Sequence, residues 1–196
     1  TVVDATKCKM YMKNFGEFFR NQIEYAGTVI LSRTDKASEE KIATALEIIR
    51  GLNQTAAVIT TPIEKLSGEK ILDTMENNRS LEKELMDEEV CPVCGGHHDH
   101  EHHHHHHADD VFTSWGKETP HKFERAKLEE VLKKFVDSDN ILRSKGMVES
   151  TDGTWLYFDM VPGEYEIREG EPDYTGRIVV IGTEIHEDEL LKTFGL

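Results

Sequence analysis

Short apolar runs alternate with longer amphipathic stretches over the first third of the chain. Thr1 to Val3, then Val29 to Leu31, then Ala56 to Ile59, have the residue types of buried strands. Between them, Cys8 to Tyr25 places Met12, Phe15, Phe19 and Ile23 at helical spacing, and Ser38 to Asn53 does the same with Ile42, Leu46 and Ile49. Strand and helix in strict alternation predict a parallel sheet covered by helices, an α/β arrangement. In such sheets ligands bind beyond the carboxyl ends of the strands, so the residues after each strand are where chemistry is expected.

From Val111 onward the pattern is different. Leu128, Val131, Leu132 and Phe135 form one apolar stripe on a helix spanning Glu124 to Phe135. Strand-like stretches follow at Ile141 to Val148, Trp155 to Met160, Tyr165 to Arg168 and Arg177 to Ile181, with turns at Thr151-Asp152-Gly153 and Pro162-Gly163. Close strands joined by Asp-Gly and Pro-Gly predict hairpins and an antiparallel sheet, with the helix Glu187 to Phe194 packed on it. Trp155, Tyr157 and Phe158 read as core and sheet residues. This half is a small α+β domain. The expected organisation is therefore 1–78, an α/β unit; 79–110, an acidic linker rich in Cys and His; and 111–196, the α+β domain.

Composition narrows the partners. With 196 residues and a formal net charge of −15, the chain attracts cations and repels nucleic acid. It has no apolar stretch of bilayer-spanning length and no signal-peptide pattern, so a cytoplasmic protein without a membrane is the expectation. Its three cysteines do not suggest a disulfide framework.

The linker carries the clearest chemistry. Cys91 and Cys94 stand at Cys-x-x-Cys spacing, followed by His97, His98 and His100 and then His102, His103, His104, His105, His106 and His107. Thiolates and imidazoles together suit a borderline-soft ion, zinc first, with cobalt, nickel or copper behind. Two cysteines supply half of a tetrahedral zinc shell, so histidines or another molecule complete it. A purification tag would also contain six histidines, but this run is internal and grows out of a mixed His, Asp and Glu stretch. Its composition predicts a solvated loop whatever it binds. A redox pair is the poorer reading, because the cysteines do not open a helix after a strand. Cys8, His121 and His186 are isolated and receive no ligand role.

Ser32-Arg33-Thr34-Asp35 follows the second strand and Thr60-Thr61-Pro62 the third. The first resembles the guanine-reading motif of GTPases, usually Asn-Lys-x-Asp, with Asp35 in the place of the carboxylate and Arg33 in that of the basic residue. Taken from spacing alone the motif is weak, because such a tetrapeptide after a strand is more often a turn and helix cap.

The wider order of motifs resembles the CobW-like GTPases, which include zinc metallochaperones. The matching segments are Val2-Val3-Asp4-Ala5, Asn21 to Ala26 leading into Val29 to Asp35, Phe112 to Trp115, Ile141 to Gly146 and Arg177 to Gly182. The resemblance implies a partial P-loop GTPase-type sheet in 1–78 and a CobW-like C-terminal domain in 111–196. It implies nucleotide contacts from Ser32, Arg33, Asp35, Thr60 and Thr61, and a GTP-dependent chaperone or insertase delivering zinc, or cobalt or nickel, to a client metalloprotein. A non-enzymatic storage or regulatory module is the alternative. The chain contains no Gly-x-x-x-x-Gly-Lys-[Ser/Thr] and no Cys-x-Cys-Cys, which the resemblance places upstream of Thr1. GTP and magnesium are accordingly expected in the full-length parent, and this chain alone is expected not to hydrolyse GTP.

Overall fold

The computed structural model describes residues 1–77 and 113–196. The first unit holds β1 (Val2–Asp4), α1 (Cys8–Glu24), β2 (Thr28–Ser32), α2 (Glu39–Leu52) and β3 (Ala57–Ile59), then a 3-10 turn at Ile63–Lys65 and α3 (Gly68–Glu76). The strands are parallel in the order β1-β2-β3. One face of this sheet buries Val3, Val29, Leu31 and Val58 with Ile23 of α1 and Ile42, Leu46 and Ile49 of α2. On the other face, Ile59 packs with Leu66 and with Tyr174 from the second unit.

Local signals start and stop these helices. Ser38 Oγ accepts from the Lys41 N–H, Glu39 and Glu40 fill the first turn of α2, and Arg50 sits in its last turn, all favourable to the helix dipole. Asn53 ends α2, and its side chain accepts from Ala56 N while donating to the carbonyls of Ile23 and Ala26, so one residue ties the α1–β2 connection to the α2–β3 connection. α1 departs from the sequence expectation. It is broken at Gly16, whose φ of 20° and ψ of −96° interrupt the helix. Of the stripe expected to be buried, Ile23 is fully buried and Phe19 partly packed, but Phe15 is 58% exposed. The kink turns the first half of the stripe away from the sheet.

The second unit has β4 (Thr113–Thr119), α4 (Arg125–Val136), β5 (Ile141–Glu149), β6 (Trp155–Val161), β7 (Glu164–Gly170), β8 (Gly176–Gly182) and α5 (Glu187–Phe194). Its antiparallel sheet runs β4-β8-β5-β6-β7. α4 and α5 cover one face, where Leu128, Leu132, Leu156, Met160, Ile178 and Val180 are almost wholly buried. Each such side chain contributes about 1.5–3 kcal/mol by burial. The tight turns form where they were expected, with Gly153 and Gly163 at φ of 89° and 92°. Beyond the expected elements, residues 113–119 form a strand and 68–76 a helix.

Polar contacts join the units. Arg50 makes a forked ion pair with Glu118, Nε to Oε2 at 2.5 Å and Nη2 to Oε1 at 2.7 Å. Lys65 reaches Glu149 at 2.9 Å, and Lys70 reaches Asp173 at 3.3 Å.

Candidate functional site

The carboxyl edge of the parallel sheet collects three segments: Asp4 to Lys7 after β1, Arg33 to Asp35 after β2, and Thr60 and Thr61 after β3. Ser32 Oγ donates to Val3 O at 3.3 Å, tying the ends of β1 and β2. The chain then turns sharply, with Arg33 in the left-handed region at φ 60° and its carbonyl accepting from Lys36 and Ala37. That turn leaves Asp35 exposed, buries Thr34 and swings the Arg33 guanidinium to 3.2 Å from Asp4 Oδ2. Asp4 also accepts from the backbone and hydroxyl of Thr6 at 2.9 and 2.6 Å. Burial pushes the Asp4 carboxyl upward, but the Thr6 hydrogen bonds, Arg33 and Lys7 together hold it below its ordinary value.

Thr60 and Thr61 are placed differently. Both backbone N–H groups donate to Tyr174 O, at 2.9 and 3.1 Å. The Thr60 hydroxyl bonds that of Thr175 at 2.8 Å, and the Thr61 hydroxyl donates to Asp173 O at 2.5 Å. The end of β3 is thus held by the segment that leads into β8. Behind it, the buried Asp173 carboxylate pairs with Arg177 at 2.8 Å, and Arg177 also donates to the Tyr174 hydroxyl. So Ser32 ends β2 and Arg33 and Asp35 follow it on an exposed turn, while Thr60 and Thr61 meet the second unit. Asp4, Asp173 and Arg177 were not singled out in the sequence; only Asp4, ending a strand at the ligand edge, carried a signal that could have found it.

Cys91, Cys94 and the histidines from His97 to His107 lie outside the described residues. Among the described residues no group of three or more His, Cys, Asp or Glu side chains is arranged to hold a metal ion. Cys8 is buried in the first core, where desolvation pushes its thiol up to about 11, so it is held as a neutral thiol. His121 lies in the loop after β4, with its Nδ1 3.4 Å from Glu39 and its ring edge-on to Phe123.

Residues 112–195 match the family model of the cobalamin synthesis protein CobW C-terminal domain. Residues 112–195 are CobW-like. The match takes in every strand and helix of the second unit, including β4, so the CobW-like domain and that unit are the same object. The chain also aligns over 99% of its length with the crystal structure of Zn(II)-bound YjiA GTPase from E. coli, at 22% identity and a TM-score of 0.40, covering 58% of that chain. A Zn(II)-bound triple mutant of YjiA aligns at 21% identity and a TM-score of 0.41, with 59% of that chain covered. The chain therefore spans about three-fifths of the length of these structures. No curated protein matches it. No described helix is long and apolar enough to cross a membrane.

Proposed function

We propose that this CobW-like chain belongs to a GTP-dependent metal chaperone or insertase, with zinc as the preferred cargo and a client metalloprotein as its destination. The observation that carries the reading is the CobW C-terminal domain at residues 112–195, preceded in sequence by Cys91, Cys94 and the histidine run. Thiolate sulfur and imidazole nitrogen form the donor set that zinc prefers, and cobalt and nickel accept it as well. The loop gathers ions in this reading, and the GTPase part drives their delivery.

At the carboxyl edge of the sheet, the exposed Asp35 carboxylate would accept from guanine, and Arg33 would leave Asp4 to lie over the base. Arginine stacks on planar rings at least as well as lysine. Thr60 and Thr61 would line the base or ribose side. Because these two threonines are bonded to Asp173, Tyr174 and Thr175, a nucleotide at that edge would be felt directly by the CobW-like domain. GTP and magnesium belong to the full-length parent, and a cytoplasmic location suits its work. The same threonine contacts favour a second reading, a metal-storage or regulatory module without nucleotide dependence, since both hydroxyls already have protein partners.

Zinc titration by calorimetry tests the loop. Deleting residues 91–107 is expected to remove most zinc sites of the chain; an unchanged stoichiometry would sink the metal reading. Metal ligands must be deprotonated, so zinc is expected to be released as pH falls through the histidine range near about 6.5. In the full-length parent, Asp35→Ala is expected to weaken GTP at least tenfold while sparing zinc; unchanged GTP affinity would favour the storage module.

A further inference from the structure

α2 and α5 carry carboxylates in their first turns and a cation in their last: Glu39 and Glu40 with Arg50, and Glu187, Asp188 and Glu189 with Lys192. That placement complements the helix dipole, which favours negative charge at the N-terminal end. α1 does the reverse. It begins without a side-chain cap, has no carboxylate in its first turn and places Lys9 there instead. Lys13 and Arg20 follow, and Glu17 is the one carboxylate between Lys9 and Arg20, in a chain whose formal net charge is −15. All three cations are exposed, and none pairs with a carboxylate among the described residues.

Apolar side chains break a second rule on the same stretch. Met10, Phe15 and Phe18 are exposed, while Cys8 and Ile23 hold the helix to the first core from its other side. The rings are ordered among themselves. Tyr11 meets Phe15 at 5.7 Å and Phe19 at 6.1 Å between centroids, distances at which aromatic pairs attract, so one row of rings runs past the break at Gly16. When a sequence serves folding alone, local preferences and the global fold agree, and departures gather at functional sites. Here the uncapped cationic start, the glycine break and the outward rings fall together between Cys8 and Arg20.

We propose that the outer side of α1, from Lys9 to Arg20, docks an acidic amphipathic helix of a partner protein. Carboxylates of that helix meet Lys9, Lys13 and Arg20, and its apolar side chains cover Met10, Phe15 and Phe18. A helix is the form that fits, because Lys9 and Lys13 stand one turn apart and neighbouring helices pack through rows of the same four-residue spacing. The stretch is about three helical turns long, so a partner helix of about four turns covers it. Cations and apolar side chains are interleaved along it, Lys9 beside Met10, Lys13 near Phe15 and Phe18 near Arg20. A bilayer takes up a helix whose charged and apolar sides are segregated. A polyanion longer than the patch, a lipid surface or a nucleic acid, would also run on to the acidic remainder of the chain, whereas a short acidic helix meets the cations alone. Exposed aromatic rings with a cationic rim are the residue types that carry binding energy at protein interfaces. This surface rests neither on the metal loop nor on the nucleotide edge.

The test uses the full chain and a capped peptide of about sixteen residues, four helical turns, with glutamates at four-residue spacing on one side and leucines on the other. Binding is followed by fluorescence anisotropy, and its place by hydrogen exchange of the 8–24 amides. The peptide is expected to bind and to slow exchange in α1 at least tenfold. A scrambled peptide of the same composition, and one with lysine replacing glutamate, are expected to bind at least tenfold more weakly. Phe15→Ser with Phe18→Ser removes two exposed rings, so peptide affinity is expected to fall tenfold or more with circular dichroism unchanged. Lys9→Glu with Lys13→Gln is expected to lose affinity to the same extent while melting no lower than the natural chain, because a carboxylate suits that end of the helix. Equal binding of the scrambled peptide, unmoved exchange in α1, or full affinity in either folded variant would each overturn the proposal. A lysine variant that melts several degrees lower would do so too, by giving the cations to the fold. Tighter capture of oligodeoxythymidine, or of vesicles of phosphatidylcholine and phosphatidylserine, through the same residues would assign the face to nucleic acid or lipid instead. Peptide binding that needs deletion of residues 80–90, an acidic stretch of this sequence, would assign it to the chain itself. In the full-length parent the α1 amides are expected to exchange as fast as in this chain until peptide is added; slow exchange without peptide would assign the face to another part of that protein.

Discussion

The two units bury their apolar side chains to very different degrees. Every large hydrophobic residue that is clearly exposed among the described residues belongs to the first unit: Val2, Met10, Phe15, Phe18, Tyr25, Ile63, Leu72 and Met75. The second unit has a closed core of fifteen buried residues under two helices, with Phe194 in aromatic contact with Trp115, Phe123 and Phe135. A three-stranded parallel sheet is also the harder element to stabilise, because parallel sheets are ordinarily covered on both faces. Here the second face of that sheet is covered in part by Tyr174, a residue of the other unit. The CobW-like domain therefore stands on its own core, and the sheet before it leans on the domain.

The contrast breaks most directly at the junction. Asp173 is 2% exposed and holds Arg177 and Lys70 together. Asp173→Ala leaves a buried guanidinium without its carboxylate, and removing one partner of a buried pair costs about 3–5 kcal/mol. Urea denaturation is expected to show that loss, and hydrogen exchange to show it first in β2 and β3 of the first unit. Exchange that accelerates only in the second unit would mean that the sheet does not lean on the junction.

Core truncations come next in size. Leu132 and Ile49 are both fully buried, one under each sheet. Shortening either to alanine costs about 2–5 kcal/mol, the spread reflecting how far the site collapses. The tightly ringed Leu132 site is expected near the upper end of that range, and Ile49, in the smaller core, near the lower end. Equal losses in thermal melts would erase the proposed difference in packing.

How much of this could be read from residues alone depends on whether a feature is local. α2 was legible because Ser38, Glu39, Ile42, Leu46, Ile49 and Asn53 state its start, its buried face and its end within sixteen positions. The hairpin turns were legible because Gly153 and Gly163 meet a backbone requirement on the spot. β4 was not, since Thr113-Ser-Trp-Gly-Lys-Glu-Thr119 has one large apolar residue and is a strand only because β8 pairs with it along its length. α1 misled for the opposite reason. Its stripe is regular, but Gly16 breaks the register that would bury Phe15. At the candidate site, Ser32, Arg33 and Asp35 are neighbours in sequence at the end of β2 and the turn after it. The partners of Thr60 and Thr61 lie 112 to 115 residues away, and no local pattern announces them.

A smaller effect concerns acid. The Asp4 carboxyl is held below its usual range in the folded chain, so the native state favours its ionised form. Its stabilising contribution is present above the unfolded value and fades as pH falls through the folded one. Asp4→Asn is expected to be less stable than the natural chain at neutral pH and to converge with it in strong acid. Parallel stability curves across the acid limb would show that Asp4 is not held by Thr6 and Arg33. Since the carboxylate lies at the edge of the first unit, the loss should leave the CobW-like domain's exchange rates unmoved.

The smallest expected effect sharpens the comparison most. Phe15 and Phe18 are 58% and 72% exposed, so changing both to serine removes little buried area and is expected to alter stability by less than about 0.5 kcal/mol. A matched change of Phe135 and Phe194, each 5% exposed, would empty the core of the second unit. Binding of a hydrophobic dye to the folded chain provides the second readout. It is expected to fall in the Phe15→Ser, Phe18→Ser variant with the melting temperature held, because the exposed apolar surface is concentrated on the first unit. A melting temperature lowered by several degrees would show that these rings are packed in solution, and the difference in apolar exposure between the two units would be lost.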